Sequence, residues 1–161
     1  MNRQEKLKWY KEEFEEISNK IKNSEVLSHN DFLRIRNFKL QNSSAEKEEH
    51  IQEITKKAFR FAQEDKIKEA INVLLKLEGV RVPIASTFLA MRFPDKYAII
   101  DRKVLASLNK KEWLKKYLTS AEIYEEYTLL MRKLAKEKGI KLRDFERGLF
   151  ERIKDKNDQK M

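Results

Sequence analysis

Cysteine is missing altogether from this 161-residue chain, which excludes disulfides, thiolate zinc sites and cysteine-held iron–sulfur clusters. Histidine is nearly missing: His29 and His50 fall in different segments without ligand spacing, so no metal site and no cofactor is expected. His29, just ahead of a helix start, reads as a cap-region residue. Glycine and proline number only 3 and 2, leaving few points at which helices must break. No run alternates apolar and polar residues long enough to make a sheet strand. The expected class is therefore all-α. No apolar stretch reaches the roughly 20 residues of a bilayer-crossing helix, and the opening MNRQEKLKWYKEEFEEI lacks the apolar centre of a signal peptide. Both features point to a cytoplasmic protein without a membrane partner. With neither repeats nor low-complexity linkers, residues 1–154 are expected to form one helical domain, followed by a polar tail at 155–161.

What the chain has in excess is positive charge. Thirty-six Lys and Arg stand against 27 Asp and Glu, a formal net charge of +9, which suits a polyanionic partner. Lysine and glutamate are both abundant, as in the surface ion-pair networks of thermophilic proteins, so solvation accounts for part of that excess.

Helical periodicity and capping signals divide the chain into eight to nine helices. A first helix over about residues 3–22 carries Trp9, Phe14, Ile17 and Ile21 on its apolar face. Ser28 with Asp31 opens a second, with Phe32, Ile35, Phe38 and Leu40 inward and Arg34, Arg36 and Lys39 making a cationic face. Ser43 and Glu46 have the spacing of a capping box before a third. A fourth runs from Lys66 to Leu77, and Pro83 lies in the first turn of a fifth, where its missing N–H does no harm. Phe93–Tyr97 reads as a turn, Ala98–Ile100 as a buried apolar segment, and Asp101 as the N-cap of a short helix ending at Leu108. A further short helix follows at 112–117. Thr119 with Glu122 opens a long helix that Gly139 closes, and a last one over 142–153 places Phe145, Leu149, Phe150 and Ile153 inside.

The region Leu77–Leu108 carries most of the functional signal. A hairpin at Gly79 would leave the backbone N–H groups of Val80, Arg81 and Val82 outward at a helix start, where free amides and the helix dipole make a phosphate site. Leu77-Glu78-Gly79-Val80, then Ile84-Ala85-Ser86, then Ile99-Ile100-Asp101 and Val104 resemble the helix-hairpin-helix DNA glycosylase superfamily. Phe38-Lys39 and the run Leu142–Phe150 resemble a small branch of it more loosely. The resemblance implies two helical lobes around a cleft with Asp101 at its edge. It also implies that this carboxylate faces an extruded nucleotide, stabilising the cationic sugar while water displaces the base. Two departures stand out. Arg81 replaces the second hairpin glycine, and Pro83, which has no amine, occupies the position of the catalytic lysine of bifunctional members, so no Schiff-base lyase step is expected there.

The functional expectation is thus DNA binding, with monofunctional N-glycosylase activity centred on Asp101. Duplex contacts are assigned to Gly79, Val80, Arg81, Val82, Arg102, Lys103, Arg34 and Lys39, and pocket lining to Phe38 and Tyr97. Against this stand blander readings. Asp101 as a helix cap only, charged faces that are merely solvated, aromatics including Trp9 and Trp113 that belong to the core, and Glu146 paired with a neighbouring Lys or Arg are all common. The alternatives are a non-catalytic DNA-binding or nucleoprotein module and a protein-interaction domain with a thermophile-like basic surface.

Overall fold

The structure is a computed structural model that describes residues 1–39 and 46–159, with side chains to residue 152. The expected inward positions of Leu40 and the Ile153 side chain, and the cap at Ser43, lie outside the described residues. Helices are α1 (Arg3–Ile21), α2 (His29–Lys39), α3 (Glu48–Gln63), α4 (Ile67–Leu74), α5 (Val82–Arg92), α6 (Arg102–Ser107), α7 (Ala121–Lys138) and α8 (Leu142–Gln159), with a 3-10 turn at Lys111–Trp113. No strand occurs among the described residues, so the chain is all-α. No described helix is long and apolar enough to cross a membrane.

Local chemistry sets most boundaries. Ser28 Oγ accepts the Asp31 N–H at 3.1 Å, and Asp101 caps α6. Gly139, at φ 68°, closes α7 in the left-handed conformation. Three boundaries differ from expectation. The cap of α7 is Ser120, whose Oγ accepts the Ile123 N–H at 3.2 Å, one residue beyond Thr119. Helix α3 starts at Glu48 behind Lys47, because the Glu46 side chain is drawn away to His50 and to the Glu78 amide. Helix α8 continues to Gln159, so the backbone of the expected tail at 155–159 is helical.

All of α5 except Pro83 and Arg92 is buried, as befits a helix apolar on nearly every side. Its Ser86 and Thr87 hydroxyls donate to the Pro83 carbonyl at 2.7 and 2.9 Å. Around it pack α1, α2, α3, α4 and α7; α7 in turn carries α8, and α8 carries α6. Arg92, at the end of α5, donates to the carbonyls of Ser24 and Lys22 and so satisfies the C-terminal end of α1. Between α1 and α2 on one side and α6 and α8 on the other lies a cleft.

The link between α4 and α5 turns on Gly79, at φ 72°. A Cβ there would sit 2.2 Å from the Arg36 guanidinium, which is only 4 % exposed beneath the hairpin. Arg36 is thus a buried residue and not part of a cationic face. At Gly139 a Cβ would meet nothing within 4 Å. Both positions impose the left-handed penalty on an L-residue, about 1–2 kcal/mol, and only the first adds a collision. Gly79→Ala is therefore expected to lower unfolding free energy by more than Gly139→Ala does, measured by urea denaturation of the two variants side by side.

Candidate functional site

The site is built on a short stretch of non-helical backbone inside a helical core. Ala98, Ile99 and Ile100 are all buried, and their peptide groups cannot reach water. Four side chains take its place. Ile100 N–H donates to Ser86 Oγ at 3.1 Å and Ile99 N–H to Glu146 Oε1 at 2.9 Å. The hydroxyls of Tyr124 and Tyr127 donate to the carbonyls of Ala98 and Ile99 at 2.8 and 2.7 Å. With four of its six peptide N–H and C=O groups met by these side chains, the segment can cross the core and deliver Asp101 to the cleft.

Asp101 does two things at once. Its Oδ1 accepts the Lys103 N–H at 2.6 Å, capping α6, while Oδ2 lies 3.3 Å from Lys39 Nζ. Its side chain is 26 % exposed and that of Lys39 is 21 % exposed, and both line a cleft of about 270 Å³. Aromatic rings form part of the wall: Tyr10 and Phe38 meet edge-on at 5.3 Å and Tyr10 and Phe150 at 6.3 Å, with Trp9 stacked on Phe38 at 6.0 Å outside the lining. Charged groups form most of the rest, namely Lys11, Lys39, Lys103, Arg143 and Arg147 with Asp101, Glu146 and Glu151, beside Leu7, Ile99 and Val104.

Glu146 pairs with a basic neighbour, Arg143 Nη1 at 2.5 Å, but it does so inside the protein. Burial pushes its carboxyl above the ordinary glutamate range, against the pull of Arg143 and the Ile99 amide. Arg143 in turn lies 3.8 Å over the Phe14 ring.

The sequence-assigned residues fare unequally. Asp101, Lys39, Lys103 and Phe38 come together in the cleft. Tyr97 does not: it is 1 % exposed, and its hydroxyl donates to the Ala62 carbonyl at 2.7 Å, which makes it a core residue. Arg34 is held against α1 by Glu13 at 2.8 Å and Glu16 at 3.1 Å, and the hydrogen bond it donates to Glu13 raises its pKa. It joins no phosphate track. Arg102 is exposed outside the cleft.

The hairpin departs most from expectation. Val80 N–H donates to the Leu77 carbonyl at 3.2 Å and Val82 N–H to the Leu118 carbonyl at 3.0 Å. The preceding Glu78 N–H is taken by the Glu46 carboxylate at 2.8 Å. Val80 and Val82 are buried. Two of the three amides expected to face outward, those of Val80 and Val82, are thus engaged within the protein, and the Glu46 carboxylate is bound to the amide just ahead of them. Arg81, at φ −107° and ψ 177°, is in extended backbone open to any residue, so the lost second glycine causes no strain. Gly79, Val80, Arg81 and Pro83 line a second depression with Leu75, Leu77 and Leu118, and Lys39 lines both this depression and the cleft.

Tyr10, Lys11, Arg143, Arg147 and Phe150 are cleft residues that had no assigned role. Positions 143, 146, 147 and 150 follow the spacing of one helix face, so a charged and aromatic stripe beside the core residues Phe145 and Leu149 was the available signal. Phe150, expected inside, stands instead at the cleft, and Trp9, also expected inside, is 42 % exposed and stacked on Phe38. No group of three or more potential metal ligands occurs among the described residues. No family model, curated protein or solved structure matches the chain.

Because the folded protein holds the Glu146 proton to higher pH than the unfolded chain does, this group's contribution to stability falls as pH rises from the ordinary glutamate range through the raised value. Glu146→Gln removes that dependence. Urea unfolding across a pH series should show the largest advantage of the native chain over the variant at acid pH, shrinking towards neutrality.

Proposed function

We propose that the protein binds DNA at the Asp101 cleft and hydrolyses the N-glycosidic bond of an extruded, damaged or mismatched nucleotide, as its resemblance to the helix-hairpin-helix glycosylases implies. The observation that carries the reading is the position of Asp101. It is fixed by its cap to α6, and its second oxygen is turned into a cleft walled by Tyr10, Phe38 and Phe150. At about 270 Å³ the space falls just below the roughly 300–1,000 Å³ of drug-sized ligand sites, a scale suited to one ring system. In the chemistry, Asp101 opposes the positive charge that develops on the sugar as the base departs and orients the attacking water. The aromatic wall meets the face of the base.

Grip on the DNA backbone is assigned to the cations of the cleft and its surroundings, Lys11, Lys103, Arg147 and Arg102, in place of the hairpin amides. Pro83 lines the second depression, and a lyase step through that position has no amine to use.

A second reading, a DNA-binding module without chemistry, draws support from the same pair of contacts. Both oxygens of Asp101 are occupied, one by the cap and one by Lys39, and catalysis requires substrate to displace the lysine.

Binding to duplex DNA should weaken steeply as salt rises, and Arg34→Ala should leave that slope unchanged. On a panel of duplexes carrying uracil, hypoxanthine, 8-oxoguanine or alkylated purines, base release is expected from at least one. Asp101→Asn, which keeps a good N-cap, should lower release about 100-fold or more while binding persists. DNA binding with no release from any substrate would establish the second reading. Absence of binding at low salt would overturn both.

A further inference from the structure

We infer that the cleft is a mononucleotide site, taking one base together with one phosphate, so that a free nucleoside monophosphate occupies it without a polynucleotide. The inference deepens the proposal for the same cleft and shares its premise that the aromatic wall meets a base.

Charge pairing within the lining is the starting point. Lys39 lies against Asp101, and Arg143 against Glu146, so these four groups cancel in pairs. Lys11 and Lys103 are exposed, and no described carboxylate lies within ion-pair distance of either ammonium. Arg147 makes one hydrogen bond, to Glu15 at 3.3 Å, with Asp144 farther off at 3.9 Å. Its Nε has no hydrogen-bond partner among the described residues, although a guanidinium carries five donors. Arg147 is thus paired with Glu15, and within the lining only Glu151 opposes Lys11 and Lys103. The cleft therefore keeps a net attraction for an anion after its internal pairs are made.

That attraction lies beside a surface of a different kind. The rings of Tyr10, Phe38 and Phe150 adjoin one another in the same lining, Tyr10 next to Lys11 on α1 and Phe150 one turn from Arg147 on α8, and stacking is the interaction such rings offer a base. A sugar phosphate alone would make no use of the rings, and a nucleoside alone would leave Lys11 and Lys103 without a counter-charge. An aromatic ring system joined through a sugar to a phosphate satisfies both features in one molecule. The small size of the cleft limits it to one such unit.

Equilibrium dialysis of the full chain against AMP, adenosine, ribose 5-phosphate and inorganic phosphate tests this. AMP should bind about tenfold or more tightly than adenosine or ribose 5-phosphate, with inorganic phosphate weakest. Lys103→Ala should erase the preference of AMP over adenosine, and Phe38→Leu, which keeps an apolar side chain against Phe14, the preference over ribose 5-phosphate. AMP binding no tighter than either fragment, or binding unchanged in both variants, overturns the inference. Duplex binding with no AMP binding would sink it while leaving the proposed function standing. AMP binding with no affinity for duplex DNA would do the reverse.

Discussion

Everything at the cleft depends on a few peptide groups that have lost their water. An extended segment inside an all-helical core has no ladder partner, and each unmet buried N–H or C=O would cost about 1–3 kcal/mol. Ser86 from α5, Tyr124 and Tyr127 from α7 and Glu146 from α8 supply those partners for Ala98–Ile100. Three helices are thereby tied to one strip of backbone, and the residue leaving that strip is Asp101. Placement of the carboxylate is thus a result of polar satisfaction in the core. Burial pushes the pKa of both tyrosine hydroxyls up, which keeps them as donors throughout the range in which the protein folds.

The same arrangement separates two roles that the family resemblance joined. In the expectation, the hairpin gripped phosphate and Asp101 faced the base. Here the hairpin is internally committed: Arg36 fills the space beneath Gly79, Glu46 holds the Glu78 amide, and the chain at Leu118 takes the amide of Val82. Its glycine serves packing. In the proposed function, the grip on an anion passes to the cleft cations on α1, α6 and α8.

How far the sequence revealed this follows the range of each interaction. Signals acting over three or four residues were legible: the Ser28 and Asp101 caps, the Pro83 helix start, the left-handed stop at Gly139, and the buried run before Asp101. The cap of α7 moved by one residue because Thr119 and Ser120 are adjacent and either hydroxyl suits the role. Contacts between distant segments were not legible. Nothing local distinguishes Arg34, paired to α1, from Arg36, buried two residues later, or marks Glu46 as the partner of an amide 32 positions away. Tyr97 looked available because tyrosine is common both in cores and at sites; only its hydrogen bond to Ala62 decides between them. Periodicity put Trp9 and Phe150 on apolar faces correctly, but an apolar face can line a cleft as well as a core.

Helices α1 and α8 are joined across the cleft by contacts between residues 132 and 148 positions apart, Arg147 to Glu15 and Arg3 to the Glu151 carbonyl. The interior around α5 draws on the middle of the chain, whereas this opening requires two segments from opposite ends of the described sequence. Loop-closure entropy makes such a junction among the most demanding in the molecule to form. A chain emerging from the ribosome would therefore hold much of its hydrophobic interior before α8 arrives to complete the cleft.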